Sequence, residues 1–521
     1  MTDDEEPRAS AGLDGERDGH YRRNQLEPKS PQAIRATLAL VALVNLSWSL
    51  YQLPLIRIVE SRLCHDYYAV NDPSVIPPYA RVPEALCKID PVQEALGRIQ
   101  RVMETSWVAG DFIMTIPLVS LAEFYGRRYV LWLNLVPRAL LLAWTLTVGY
   151  FGQGLPVSAL MMGPFLSLLG GDCVFNSIVY SLVSGLADDH IVRATFFGFM
   201  NAVSSISASQ LGPALASGTM SISLWLPLWI GIVLLLIALP IISLLPSGLA
   251  SHLNLASADV DDATHLLSPI IRTSTSKREL TTMVAKRFRA ILGTLTTPSR
   301  NFNILLLCFF CTSLASSDTK LLPQYISTRY HWAIASVGYL LSCKAVLNFL
   351  VLTFIIPVLL RLREPLTSTG ASSMQMQKQD TADRAHIHHA HICIALSVLG
   401  AIAIALSPTI WLLVPSLLLY GLGIALPMFT YSLLSSPSLA LGGSNLSASE
   451  DWRSETQVFS IVMLTRAVGT LLGAVLMPTL WIVAIRLKGA AFGLPYIASA
   501  VCYGLGGIML AKMKMAASHI P

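Results

Sequence analysis

Charge is what this chain has least of. Only 13% of its 521 residues are Asp, Glu, Lys or Arg, where a soluble protein would carry about a quarter. Hydrophobic residues make up 53%, so most of the surface must face something other than water. The net charge of +5 is scattered over connectors and forms no patch, which leaves no footprint for nucleic acid. The eight cysteines contain no CxxC pair and no zinc spacing. No G-x-x-x-x-G-K-S/T loop occurs, which disfavours ATP-driven pumping by this chain. No nucleophile or metal constellation of an enzyme stands out, and no cofactor is implied. The N-terminus has neither the apolar core nor the cleavage site of a signal peptide. Residues 1–33 read instead as a polar, disordered cytoplasmic tail.

Long apolar runs are what the sequence does have. A hydrocarbon core of about 30 Å needs roughly 20 apolar residues in a helix. Runs near that length fall at 34–56, 102–122, 129–150, 157–185, 195–218 and 223–245. A second set follows at 302–325, 335–360, 389–407, 410–434, 456–484 and 489–511. The expectation is an all-α, multi-pass membrane protein of twelve spans. They divide into a six-helix unit over 34–245 and another over 301–511, joined by a Ser/Thr-rich cytoplasmic linker over 246–300. Residues 512–521 form a short cytoplasmic tail. With the N-terminus inside, most of the 36 Lys and Arg fall in tails and inner loops, as the positive-inside rule requires. Cys64 and Cys87 then share one polar outer loop and can pair there.

The link "LAEFYGRRYVL" (121–131) between spans 2 and 3 is unusually charged for this chain. Gly126 permits a tight reversal, and Arg127 and Arg128 hold the link at the anionic inner leaflet. Glu123 is placed to face the positive N-terminus of a neighbouring helix. The stretch resembles the major facilitator superfamily signature G-x-L-A-D-R-x-G-R-K-x-x-L. Leu121, Ala122, Gly126, Arg127 and Leu131 match, Glu123 and Arg128 are conservative substitutes, and Val119 and Phe124 depart from it. In span 5, "ASQLGPALAS" (208–217) is similar to the antiporter pattern G-x-x-x-G-P-x-x-G-G of drug exporters in that superfamily. Gly212 and Pro213 match, while Ala208, Ala216 and Ser217 replace glycines. Small residues there allow close helix packing and the proline bends the helix. Gly469, Gly473 and Pro478 echo the arrangement in span 11, as an internal repeat would. Residues 170–197, with the diglycine Gly170–Gly171, and 324–352 resemble fungal members. The resemblance covers residues 34–511 and implies two six-helix bundles with internal inverted repeats, working by alternating access.

Ionisable groups within spans are costly and face a cavity or a partner. Asp172 is the leading candidate for proton coupling, with Asn176 one turn on and on the same face. Lys344 with Asn348 repeats that spacing in the second half, and Trp48 with Gln52 does so in span 1, beside Tyr51. Asp111, Arg138, Asp318, Lys320 and Arg466 complete the set. Such groups either line a cavity for an amphipathic organic molecule or neutralise one another and fix packing; Arg466 reads as a packing anchor. "HIHHAH" (386–391) reads as solvated loop histidines rather than a metal site.

The function expected is proton-coupled export of a metabolite or toxic compound by a monomer in the bilayer. The plasma membrane is the first expectation for its location and the vacuole or another internal membrane the second. A uniporter or importer on the same fold, and a non-transporting receptor, are the rivals.

Overall fold

The computed structural model describes residues 31–76, 82–150, 154–166, 168–186, 190–245, 300–350, 353–354, 372–423, 426, 429–430 and 448–513. The tail 1–30, the body of the linker (246–299) and residues 514–521 lie outside them. The described chain is helical almost throughout.

Helix α1 (Pro31–Asn71) has 41 residues, about 60 Å at 1.5 Å per residue, roughly twice what a bilayer core needs. Its last turns run past the apolar stretch, held by an Arg57–Glu60 pair (3.0 Å) and by Arg62, which donates to the carbonyls of Val148 and Leu155. Helix α2 (Asp90–Tyr125) starts with Pro91 in its first turn, where a missing N–H costs nothing. Gly126 alone joins it to α3 (Arg127–Tyr150). Its φ of +93° is open to glycine and strained for other residues, so the one-residue reversal expected from the motif is what forms.

The run at 157–185 does not make one helix. A 3-10 turn (Val157–Met162) and the single turn α4 (Gly163–Leu166) precede an interruption, and α5 begins only at Asp172, running to Leu186. Next come α6 (His190–Ser205), a π turn over Ile206–Leu211, α7 (Gly212–Ile222) and α8 (Leu226–Leu244). In the second half, α9 (Arg300–Ala315) passes through a 3-10 turn (Ser316–Lys320) into α10 (Leu322–Tyr330). Helices α11 (Ile334–Leu350), α12 (Ser372–Leu406), α13 (Ile410–Leu422), α14 (Ala448–Leu487) and α15 (Leu494–Ala511) follow.

Two large apolar cores form, one from residues between Ala33 and Leu245 and one from residues between Phe302 and Leu510. A smaller cluster around Leu50 and Ile99 reaches across to Ile334 of the second half. Helix α8 buries Leu228, Leu235, Ala238 and Ile242, yet its opposite face, with Trp229, Val233, Leu236 and Ile237, is equally apolar and exposed. A helix hydrophobic all round and bare on one side belongs against lipid. Among the described residues, seven helices are long and apolar enough to cross a membrane.

The second half repeats packing details of the first. Ser47 Oγ of α1 donates to the Gly231 carbonyl of α8 (2.9 Å), and Ser499 Oγ of α15 donates to the Ala315 carbonyl at the end of α9 (3.1 Å). Gly212 of α7 lies against Ser49 of α1, as Gly473 of α14 lies against Ser317 just after α9.

Candidate functional site: a cavity between the halves

A cavity of about 430 Å3 lies where α1, α2 and α5 face the turn Ser316–Lys320 and α14. Trp48, Tyr51, Gln52, Glu104, Trp107 and Asp172 line it from the first half, and Ser317, Thr319 and Lys320 from the second. Trp48 stacks on Trp107 with ring centroids 4.4 Å apart and on Tyr51 at 5.2 Å. These flat apolar faces, beside a few polar groups, suit an amphipathic organic molecule.

The interruption before α5 sets the electrostatics of one wall. Breaking a helix inside a membrane leaves backbone groups that must find partners. Asn134 of α3 donates to the carbonyls of Leu169 (3.1 Å) and Gly171 (2.9 Å). The Asp111 carboxylate of α2 accepts the Cys173 N–H at 3.1 and 3.2 Å, capping the positive end of α5. Gly171 makes room for it, since a Cβ there would run into the Asp111 side chain. Asp172 pairs with Arg138 Nη2 at 2.8 Å; the guanidinium also donates from Nε to Asn134 (3.2 Å) and lies 5.8 Å from the Trp48 ring.

The residues selected from the sequence therefore separate into groups. Asp172, Trp48 and Gln52 meet at the central cavity. Asn176 is exposed and is absent from its lining, and Asp111 serves as a helix cap. Lys344 and Asn348 line a different, smaller cavity in the second half together with Arg466. Asp318 is fully buried beside that cavity and accepts from the Tyr420 hydroxyl at 2.9 Å. Glu104 and Trp107 join the site although they are not among the residues selected from the sequence; Glu104, a charge near the start of the run 102–122, carries the same signal as the others. Arg138 and Lys320 stand out in sequence as charges within spans, but their pairings with Asp172 and Glu104 do not. The pairing of Arg138 with Asp172 crosses two spans, which no local pattern reveals.

The Gly212–Pro213 motif has a direct backbone meaning. Gly212 N–H bonds to the Ser207 carbonyl five residues back, and Pro213 has no N–H to give. The Ala208 carbonyl, left over by that wider turn, accepts instead from Ser49 Oγ of α1 at 2.6 Å. A π turn of this kind often marks a functional position. At the link between α2 and α3, Arg127 and Arg128 open α3, while Glu123 stands in the last turn of α2. The histidines of 386–391 sit within helix α12 rather than in a solvated loop. His389 is buried and stacks on Phe429 at 5.3 Å, because the helix begins well before the apolar run.

At the opposite end from that link, Cys64 and Cys87 are disulfide-bonded. The bridge draws the loop after α1 over a buried polar cluster. Lys88 Nζ lies 2.6 Å from Glu60 and 3.1 Å from Glu84, with the Lys88 and Glu60 side chains only 2% and 1% exposed. Arg57 pairs with both acids, and Gln93 donates to Glu60. The second half closes onto this cluster. Ser327 Oγ accepts from Lys88 (2.5 Å), Thr328 donates to Gln93 (2.9 Å), and the Ile334 N–H donates to Glu84 (2.9 Å). Arg486–Glu94, Lys488–Asp90 and Lys320–Glu104 pairs also join the halves.

The chain is 27% identical over 476 residues to the MFS efflux pump atnC of Emericella nidulans, a match that covers 91% of this chain and 86% of that protein. It is 26% identical over 395 residues to the MFS-type transporter aprT of Aspergillus flavus, 75% of this chain and 72% of the relative. Among solved structures, the human organic anion transporter MFSD10 superimposes with a TM-score of 0.56 at 15% identity, covering 93% of this chain and 100% of that one. The nucleoside transporter NupG gives a TM-score of 0.54 at 13% identity, over 92% of this chain and 98% of that one. The chain has the major facilitator fold. No family model matches it; the kinship rests on these fungal transporters and on the fold. The chain is a multi-pass integral membrane protein of this fold, similar over most of its length to fungal transporters.

Proposed function

We propose that this major facilitator chain exports a small organic compound in exchange for protons, by alternating access, across the plasma membrane or the vacuolar membrane. On this reading it has twelve spans in two six-helix bundles, 34–245 and 301–511, with inverted repeats inside each. The disulfide marks the outer end, where oxidising conditions keep such bonds. The cross-half ties gathered there close the cavity on that side. Gly126, with Glu123, Arg127 and Arg128, forms the inner gating link, and the Gly212–Pro213 turn is where α7 flexes.

The observation that carries the proposal is the Asp172–Arg138 pair. Asp172 lines the cavity with its side chain 44% exposed, whereas Arg138 is 3% exposed. A proton arriving from the cavity therefore reaches the acid and not its partner. Neutralised, Asp172 releases a guanidinium that already leans on the Trp48 ring, so proton and cargo act on one side chain. That gives the proton a differential hold on two conformations, which coupling requires.

The test uses purified protein in sealed inside-out vesicles with an imposed pH gradient. A panel of hydrophobic and charged compounds is added while lumenal pH is followed, with Asp172→Asn alongside. Compound-triggered proton efflux that disappears in Asp172→Asn supports exchange and its assignment. Compound uptake with no proton signal would show a uniporter and return Asp172 to packing.

A further inference from the structure

The second half holds a cavity of its own, of about 170 Å3. The turn Ser316–Lys320 is its wall toward the central cavity. In a 3-10 turn side chains three apart line up, so Ser316 and Thr319 border the side cavity while Ser317 and Lys320, one place on, border the central one. Thr319 touches both.

The chemistry of the lining is one-sided. Lys344 and Arg466 supply two cations, Asn348 an amide, and Ser, Thr and Tyr hydroxyls the remaining polar surface; no carboxylate lines it among the described residues. The adjacent acid, Asp318, is sealed behind the wall, with both oxygens accepting from Tyr420 at 2.9 and 3.2 Å. Lys344 has no salt bridge within 4 Å among the described residues, though the charge of Asp318 acts on it from behind the wall; its ammonium lies over the Tyr420 ring, 5.6 Å from the centroid. Arg466 directs Nε toward Ser313 Oγ at 3.4 Å. A planar guanidinium and an ammonium bordering one cavity are together suited to a carboxylate.

We propose that this cavity binds the carboxylate head of an amphipathic organic acid, with Lys344 and Arg466 as its cationic arms. The apolar body of the same molecule passes Thr319 to lie on Trp48 and Trp107. The inference rests on the transport reading for treating this ligand as cargo, and it gives that cargo a charge. A cationic compound is disfavoured at this wall for the reason that an anion is favoured.

The test is equilibrium dialysis of 1-naphthoate against the purified full-length protein in lipid nanodiscs. 1-Naphthamide serves as the neutral isostere and 1-naphthylmethylammonium as the cation. Charge-assisted hydrogen bonds predict that the acid binds roughly tenfold or more tightly than the amide, with the ammonium weakest. Lys344→Gln is expected to remove most of that preference while amide binding persists, Lys344→Arg to restore it, and Asp172→Asn to leave it intact. Equal affinity for acid and amide in the unaltered protein overturns the inference without reference to any variant, as does a preference undiminished in Lys344→Gln. Acid-selective binding in a protein that moves nothing in the vesicles would sink the transport reading and leave the site standing.

Discussion

Lys88 is a charge held almost dry at the edge of the membrane. Its ammonium has Glu60, Glu84 and the Ser327 hydroxyl as partners, two from its own half and one from the other. Removing one member of a buried pair strands the other, a cost of about 3–5 kcal/mol where nothing compensates. Arg57 and Gln93 remain on Glu60 in Lys88→Met, so the expected loss is about 3 kcal/mol, read as a lowered thermal midpoint. Adding Glu60→Gln should recover part of it; a double variant that loses the full sum of the two singles would contradict the coupling. Glu94 behaves differently because it is partly open to water, opposite the exposed Arg486. The hydrogen bond from Arg486 holds its carboxyl below the ordinary carboxylate value. That tie is fully present above the free carboxylate's pKa of about 4.3 and fades as pH falls through the lower folded value. The distance between spin labels on cysteines placed at Asp90 and Lys488, the neighbouring pair across the same contact, should accordingly stay constant between about pH 5 and 8. A distance that lengthens within that range would show outer acidity working this link.

Helix packing explains why the glycine motif matters at the scale of elements. A Cβ on Gly212 would meet the Ser49 side chain, whose hydroxyl already serves the Ala208 carbonyl. Gly212→Ala should therefore push α7 from α1, at about 1–3 kcal/mol, and slow transport in the vesicle assay. Ser49→Gly in the same chain relieves the clash and should recover folding stability; no recovery would place the damage elsewhere. The apolar runs make most spans legible in the sequence, since lipid demands length and hydrophobicity and little else. The break before α5 is not legible there. Its run is almost wholly apolar over 157–166, and the partners that permit the break, Asn134 and Asp111, lie on α3 and α2. The diglycine Gly170–Gly171 is its visible sign. Asp111 reads as a cavity acid in the sequence because an isolated carboxylate and a helix cap look alike without their surroundings.

At the scale of the whole molecule, the disulfide and the cluster beneath it hold one end shut. Cys64 and Cys87 enclose a short loop, for which the chain-entropy contribution is about 3 kcal/mol. Replacing both by serine should loosen that end. A cysteine introduced at Thr328 should then react faster with a membrane-impermeant maleimide added from outside, and an unchanged rate would show that the ion pairs suffice alone. The shared loop makes the pairing of the two cysteines legible in the sequence, whereas the insertion of Ser327 and Thr328 into the cluster is not. Those residues lie just past the distant run 302–325 and carry no charge to betray their partners.

The cluster also orders events in the life of the chain. All its charges belong to the first half, and Ser327, the group that covers Lys88, is 239 residues further along. During synthesis Glu60 and Lys88 must first stand in water, and only the arrival of the second half dries them. On the alternating-access proposal, every later opening of that end would undo this last step of assembly. Rehydration of one lysine would then be common to maturation and to each turn of the cycle.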